Sequence, residues 1–346
     1  MIRNFVRFSR QVAAIVAVGV GATLAQTDSR AAVMFHFDFI DAPGAGFNAA
    51  GSLGADRRAG LAQAADYISG VLGSAYTANI YLTVNGTVTA DTTLANASSN
   101  FNAAFPGNGF GSAGDVMLKI LGGDAADPAP ATPDGEVNYN FEDFDWEPLS
   151  DFQPGELDLI STAIHELTHA IGFASDILQT GGSAWGDPAG TPSAWSPFDE
   201  FVADASGALI DGTFALDGAR WDVASVGGTG PVNGLLFNGP NAMAANGGNP
   251  VALYSPTTWD SGSSGSHLDT DYYTGMNGTI ENMMNHASSI GEGLDLRTYT
   301  AIELGILRDI GYTQLGMVPE PASILLTLAG VACIHAAARR SRQRRA

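Results

Sequence analysis

The sequence predicts an α+β fold in two lobes. Strand-like and helix-like segments alternate through the first half of the 346 residues. A helical stretch at 160–173 then carries the pattern His165-Glu166-x-x-His169. Beyond Phe173 the chain turns rich in Gly, Asn, Ser and Asp, with few periodic segments before a final helix.

The elements follow in order. Residues 33–40, Val-Met-Phe-His36-Phe-Asp-Phe-Ile, alternate as a half-buried strand does, and His36 reads as an ordinary strand residue. Residues 55–72 place Leu61, Ala65, Ile68 and Leu72 on one helical side. Strands are expected at 79–84 and 115–121, a Pro/Asp-rich loop at 124–134, and a short strand at 137–141. In the helix at 160–173, Ile160, Ile164, Leu167 and Ile171 form the core-facing stripe. Pro154, Glu156 and Asp158 suit its start and Gly172 its end. Residues 32–173 thus form an N-terminal lobe, a twisted sheet with packed helices. Residues 174–316 form a loop-rich C-terminal lobe, kept compact by recurring aromatics such as Trp195, Phe198, Trp221 and Phe237. The last helix is expected at 297–310, with Ile302, Leu304, Leu307 and Ile310 inward, and no repeat of fixed period is present.

Both ends read as targeting segments. Residues 1–31 carry Arg3, Arg7 and Arg10, an apolar run from Val12 to Ala25, and small residues at Ser29 and Ala31, as a signal peptide does. At the other end Val318-Pro-Glu-Pro321 precedes an apolar segment at 322–338 and then five arginines. That tail, 318–346, resembles the PEP-CTERM sorting signal. The resemblance implies recognition by an exosortase near Pro319-Glu320-Pro321 and a cell-surface or extracellular destination, with 322–338 as a transient inner-membrane anchor. Membrane contact is expected through these terminal segments only. Outside them remain six basic and 34 acidic residues, a balance that argues against nucleic acid or an anionic membrane surface as partner. The single cysteine, Cys333, lies in the apolar tail, so no disulfide is expected in the domain.

The chemistry is concentrated at 165–169. Positions four apart share a helix face, so His165 and His169 can bind one ion, and imidazole nitrogen suits Zn2+. Glu166 lies beside the first ligand, where a general base is needed. A catalytic zinc site needs a third protein ligand. Ser175, six residues past His169, is a poor one. His267, in Gly262-Ser-Ser-Gly-Ser-His267-Leu-Asp269, is the leading candidate, with Glu200 and His286 as alternatives. Glu281-Asn-Met-Met284-Asn-His286 follows, and Met284 is preferred over Met283 as the floor of a methionine turn. Calcium is a second cofactor to consider, through Asp134, Glu136, Glu142, Asp143, Asp145, Asp269 and Asp271. No loop among these acids has calcium-binding spacing, and solvated acidic loops are the expectation.

The run from Asp158 to Phe173 resembles the active-site helix of the metzincin clan of zinc proteases. The serine at 175, the long insert, Ser266-His267-Leu-Asp269, Asn282-Met-Met284-Asn and the closing Asp309-Ile-Gly-Tyr312 resemble the leishmanolysin-type arrangement. The resemblance implies a zincin fold, with His165, His169 and His267 as zinc ligands, Glu166 as base and Met284 in the methionine turn. It implies a zinc-dependent endopeptidase acting on a protein or peptide substrate, with Tyr272 or Tyr273 as a candidate phenol for the oxyanion. The competing expectations are a non-catalytic cell-surface or extracellular-matrix protein on the same scaffold, and hydrolysis of an amide other than a peptide bond.

Overall fold

The computed structural model describes residues 33–87, 93–102, 107–151, 153, 155–274, 282–287 and 296–316. The expected signal peptide (1–31), the sorting tail (318–346) with its apolar segment and Cys333, and Glu281 lie outside the described residues. Among the described residues no helix is long and apolar enough to cross a membrane.

The molecule is α+β. Strand β1 (Val33–Phe39) is followed by helix α1 (Ser52–Leu72), strands β2 (Ala78–Asn85) and β3 (Ala95–Ser99), helix α2 (Asp115–Gly122) and strand β4 (Gly135–Tyr139). The sheet order is β1-β2-β4-β3. Strands β1 and β2 run parallel with Val33 opposite Ala78, and β2 and β4 run parallel with Leu82 opposite Gly135. Strand β3 closes the edge antiparallel to β4, with Ala97 opposite Val137. Ala78, Ile80, Leu82 and Val84 of β2 and Val137 and Tyr139 of β4 point to one buried face, as period-two alternation requires. Helices cover that face, while Met34, Tyr81 and Glu136 look outward.

Two local readings of the sequence are corrected here. Residues 115–121 are a helix and not a strand. Val116, Met117 and Ile120 are buried together at helical spacing, and glycines bound the segment, Gly123 with φ of 78°. An apolar run this short fits either element by pattern alone. Strand β3 went unanticipated because Ala-Asn-Ala-Ser-Ser has no apolar alternation, and its pairing with β4 decides its conformation. The two elements support each other: the Ser99 hydroxyl accepts the Val116 N–H at 3.0 Å, and the Asn100 carbonyl accepts that of Asp115 at 2.8 Å.

Two short parallel strands, β5 (Trp146–Glu147) and β6 (Leu157–Asp158), lead into α3 (Leu159–Ala170). Asp158 is the N-cap of α3, accepting the Ser161 N–H at 3.0 Å and holding Arg297 Nε at 2.8 Å. Helix α3 packs on α1 and on β3. Beyond it come β7 (Val202–Asp204), β8 (Gly207–Ala208), α4 (Gly218–Ala224), β9 (Leu236–Phe237), α5 (Pro240–Ala245), β10 (Val251–Ala252), α6 (Thr270–Tyr273) and α7 (Ala301–Asp309). The four strands form a small antiparallel sheet, β10-β9-β7-β8. Phe173, Phe198, Phe237 and Phe201 pack ring on ring at centroid distances of 5.2, 4.9 and 5.2 Å, which carries the core from the end of α3 into this half. Helix α7 begins four residues later than the sequence reading placed it, because Thr300 and Glu303 make a capping box. The Tyr312 hydroxyl then donates to the Ile171 carbonyl at 2.6 Å, tying the last described segment to the end of α3.

Candidate metal centre

Helix α3 presents His165 and His169 one turn apart, and its end is sharply fixed. Gly172 has φ of 106°, and a Cβ there would come within 2.9 Å of Met117 Sδ, so the turn requires glycine. The turn delivers the Phe173 carbonyl to His169 Nδ1 at 2.7 Å. The loop before α6 brings in His267, whose Nδ1 meets the Ser263 carbonyl at 2.9 Å. His165 Nδ1 meets the Met283 carbonyl at 2.9 Å.

These contacts fix the tautomers. A carbonyl only accepts, so each Nδ1 carries the proton and each Nε2 exposes a lone pair. The three Nε2 atoms lie 3.0, 3.0 and 3.1 Å from one another. None of them has a proton to share, so these short approaches are not hydrogen bonds. They are lone pairs aimed at one point, and a cation there removes their repulsion. A tetrahedral ion about 2.0–2.1 Å from each imidazole nitrogen has ligand atoms about 3.3 Å apart, close to this spacing. Burial, reinforced by the neighbouring His169, holds His165 down to about 3, and burial holds His169 down to about 4. His267 lies well below the usual histidine value, by burial and then by its two neighbours. All three rings are therefore neutral at physiological pH, the state in which imidazole binds metal. Among the described residues this is the one group of three or more His, Cys, Asp or Glu side chains placed to hold an ion.

Glu166 is buried beside the histidines and borders the same cavity, of about 780 Å³. Burial pushes its carboxyl up to about 8, opposed by an N–H bond from Ala97 of β3. The cavity wall runs from β3 past α3 to the 282–286 turn, with Glu166, Asp176 and Asp260 as its acidic side chains and no Lys or Arg among the described residues.

The other sequence candidates sit apart from the ion position. Glu200 is exposed in a 3-10 turn (Asp199–Phe201) and is not part of the histidine group. His286 borders the cavity but stacks on Tyr254 at a centroid distance of 3.6 Å and shares a 2.8 Å hydrogen bond with the Thr270 hydroxyl. Ser175 donates to Asp199 Oδ1 at 2.6 Å. The candidate phenols are excluded by position. Tyr273 accepts the Ala252 N–H at 3.1 Å, Tyr272 is exposed, and neither borders the cavity. His36 stacks on Tyr81 on the outer face of the sheet, as an ordinary strand residue. Of the acids considered for calcium, Asp134 is paired with Lys119 at 2.9 Å, Asp143 accepts from Asn140 at 2.9 Å, and Asp269 caps α6. At the turn expected to floor the site, Met284 is fully buried and does not border the cavity, whereas Met283 contributes its carbonyl to His165 and borders the cavity.

The sequence reading missed the Ala97 contact to Glu166, the pairing of half-buried Asp176 with buried Asp199, and the second partner of Glu303. The sole local signal for any of these was the Thr300-x-x-Glu303 capping pattern. No protein-family model matches this chain, and no curated protein matches it.

Proposed function

We propose that the chain is an exported zinc-dependent endopeptidase of the metzincin type, with the third histidine supplied after a long insert. The observation that carries this reading is the convergence of three unprotonated Nε2 atoms beside a buried carboxyl at the wall of a large cleft. A donor set of three imidazoles fits zinc, whose catalytic sites use three protein ligands and leave a position open. Bound there, zinc supplies Lewis acidity toward a carbonyl oxygen and acidifies water.

The chain's own groups do the rest. In its ionised form Glu166 takes a proton from the attacking water and returns it to the leaving amine, and the Ala97 N–H favours that form by donating to the carboxylate. Strand β3 is the edge of its sheet and forms one wall of the cleft, so an extended peptide can add to it as a further strand. The acid-only lining disfavours anionic substrates and leaves nucleic acid aside. Export, exosortase processing and a surface or extracellular destination rest on the terminal segments of the sequence. A buried carboxyl bordering the same cavity as the three imidazoles favours catalysis over a purely structural metal.

The test is hydrolysis of an unstructured protein such as casein by the zinc-loaded chain, with a chelator control and the Glu166→Ala variant. Loss of the base is expected to lower the rate by about 10²- to 10⁴-fold while zinc stays bound. Full activity in Glu166→Ala would remove the proposed base. A zinc-loaded chain with no hydrolytic activity would return the non-catalytic surface protein.

A further inference from the structure

The three imidazoles arrive from two distant parts of the chain, 102 residues apart for His165 and His267. The short turn at 282–285 joins them. Its Met283 carbonyl accepts from His165 Nδ1 at 2.9 Å. Its Met284 carbonyl accepts the N–H of Leu268, the residue next to His267, at 2.7 Å. The orientation of two successive peptide groups therefore sets one ligand directly and the backbone beside another.

Those peptide groups are held from α7. Glu303, fully buried, accepts the Met284 N–H on Oε1 at 2.7 Å and a further N–H from Met283. Its Oε2 accepts the Thr300 N–H at 2.6 Å and the Thr300 hydroxyl at 2.9 Å. A helix cap needs Oε2 alone. The second oxygen is spent on the turn, and a buried carboxylate is a costly way to hold a turn that serves no other purpose.

We infer that Glu303 is a positioning residue of the metal centre, clamping the 282–285 turn so that its carbonyls orient His165 and the His267 segment toward the ion. It acts through the backbone of Met283 and Met284 and touches neither ligand. The inference rests on the reading that the three histidines hold zinc, and it is independent of whether the cleft hydrolyses peptides. Outer partners that orient metal-binding histidines typically change metal affinity by 10- to 100-fold when removed.

The experiment measures zinc affinity by chelator competition, and the visible spectrum of the cobalt-substituted chain, for wild type, Glu303→Ala, Glu303→Asp, Glu303→Gln and Thr300→Ala. Glu303→Ala is expected to bind zinc about 10- to 100-fold more weakly, with an altered cobalt spectrum. Glu303→Asp keeps the charge at the helix start but is one methylene short of the turn, so it is expected to weaken zinc in the same way. It also carries the test if the alanine variant does not fold. Glu303→Gln is expected to recover most of the zinc affinity, because its amide oxygen can face the Met283 and Met284 N–H groups, while its NH2 meets the Thr300 N–H donor to donor and lowers stability at the helix start. Thr300→Ala removes the reciprocal helix cap together with the 3.3 Å bond from the Thr300 hydroxyl to Asn282 Oδ1 in the turn, so it is expected to lower stability and to weaken zinc less than Glu303→Asp does. Wild-type zinc affinity and an unchanged cobalt spectrum in Glu303→Asp and Glu303→Ala would overturn the inference. A wild-type chain that binds no zinc would overturn it together with the metal centre. Zinc binding without hydrolysis would leave it standing while ending the protease reading.

Discussion

Asp176 and Asp199 illustrate how much a single pair of residues can report. Asp199 is fully buried and accepts from the Ser175 hydroxyl and from the backbone N–H groups of Asp176 and Ser196. Asp176 accepts from the Ser112 hydroxyl at the edge of the cleft. Burial, and for Asp176 the charge of Asp199 as well, holds both above the usual carboxylate range. An unfolded aspartate loses its proton near pH 4, so from there to neutrality the folded pair keeps a proton that the unfolded chain has released. Stability therefore falls as pH rises through that window. Asp176→Asn removes the repulsion. Its unfolding free energy from urea titration should gain on that of the wild type between pH 5 and pH 8, by on the order of 1–2 kcal/mol at the upper end. A difference that stays constant with pH would contradict this account.

The same scale shows what the sequence could carry. His165 and His169 were legible because helical spacing alone puts them on one face, and the Asp158 cap and Gly172 stop were legible from residue type. His267 was singled out through a family resemblance, since nothing local to Ser266-His267-Leu distinguishes it from His286. What separates them is tertiary: His267 Nε2 faces the other two rings, whereas His286 is stacked on Tyr254. The Thr300-x-x-Glu303 pattern went unused when the helix was placed from 297, and nothing local marks Glu303 as a clamp on a turn 19 residues away.

At the scale of elements, the site depends on how α3 is held. Its first turn is fastened by Asp158, which is buried and shared between the helix N–H groups and Arg297. Loss of an N-cap typically costs about 1 kcal/mol, and Arg297, part-exposed, adds less than the partner of a fully buried pair would. Asp158→Ala is therefore expected to destabilise the folded chain by about 1–3 kcal/mol in urea denaturation. A loss below about 1 kcal/mol would mean that the α1–α3 packing alone fixes the helix. Elements were also where the sequence reading failed. Helix α2 looked like a strand because its apolar residues are adjacent in a short run, and β3 gave no strand signal because its residues are small and polar. Both are decided by neighbours: β3 by β4, and α2 by the glycines and by the Ser99 and Asn100 groups at its start. These two misread segments adjoin each other and the cleft.

For the whole molecule, composition suggested a change of texture after Phe173. The single core joining the segments on either side was not legible. It is made by aromatic contacts such as Phe173 on Phe198 and by the Tyr312 bond to Ile171, which close loops of many residues. That closure carries His267 to the helix, and every functional statement above depends on it. The most direct measurement is the metal content of the purified, dialysed chain beside that of His267→Ala. The account predicts one zinc per chain in the wild type and its loss in the variant, with the variant still folded. Zinc fully retained by His267→Ala, or a wild-type chain that takes up no zinc, would contradict it.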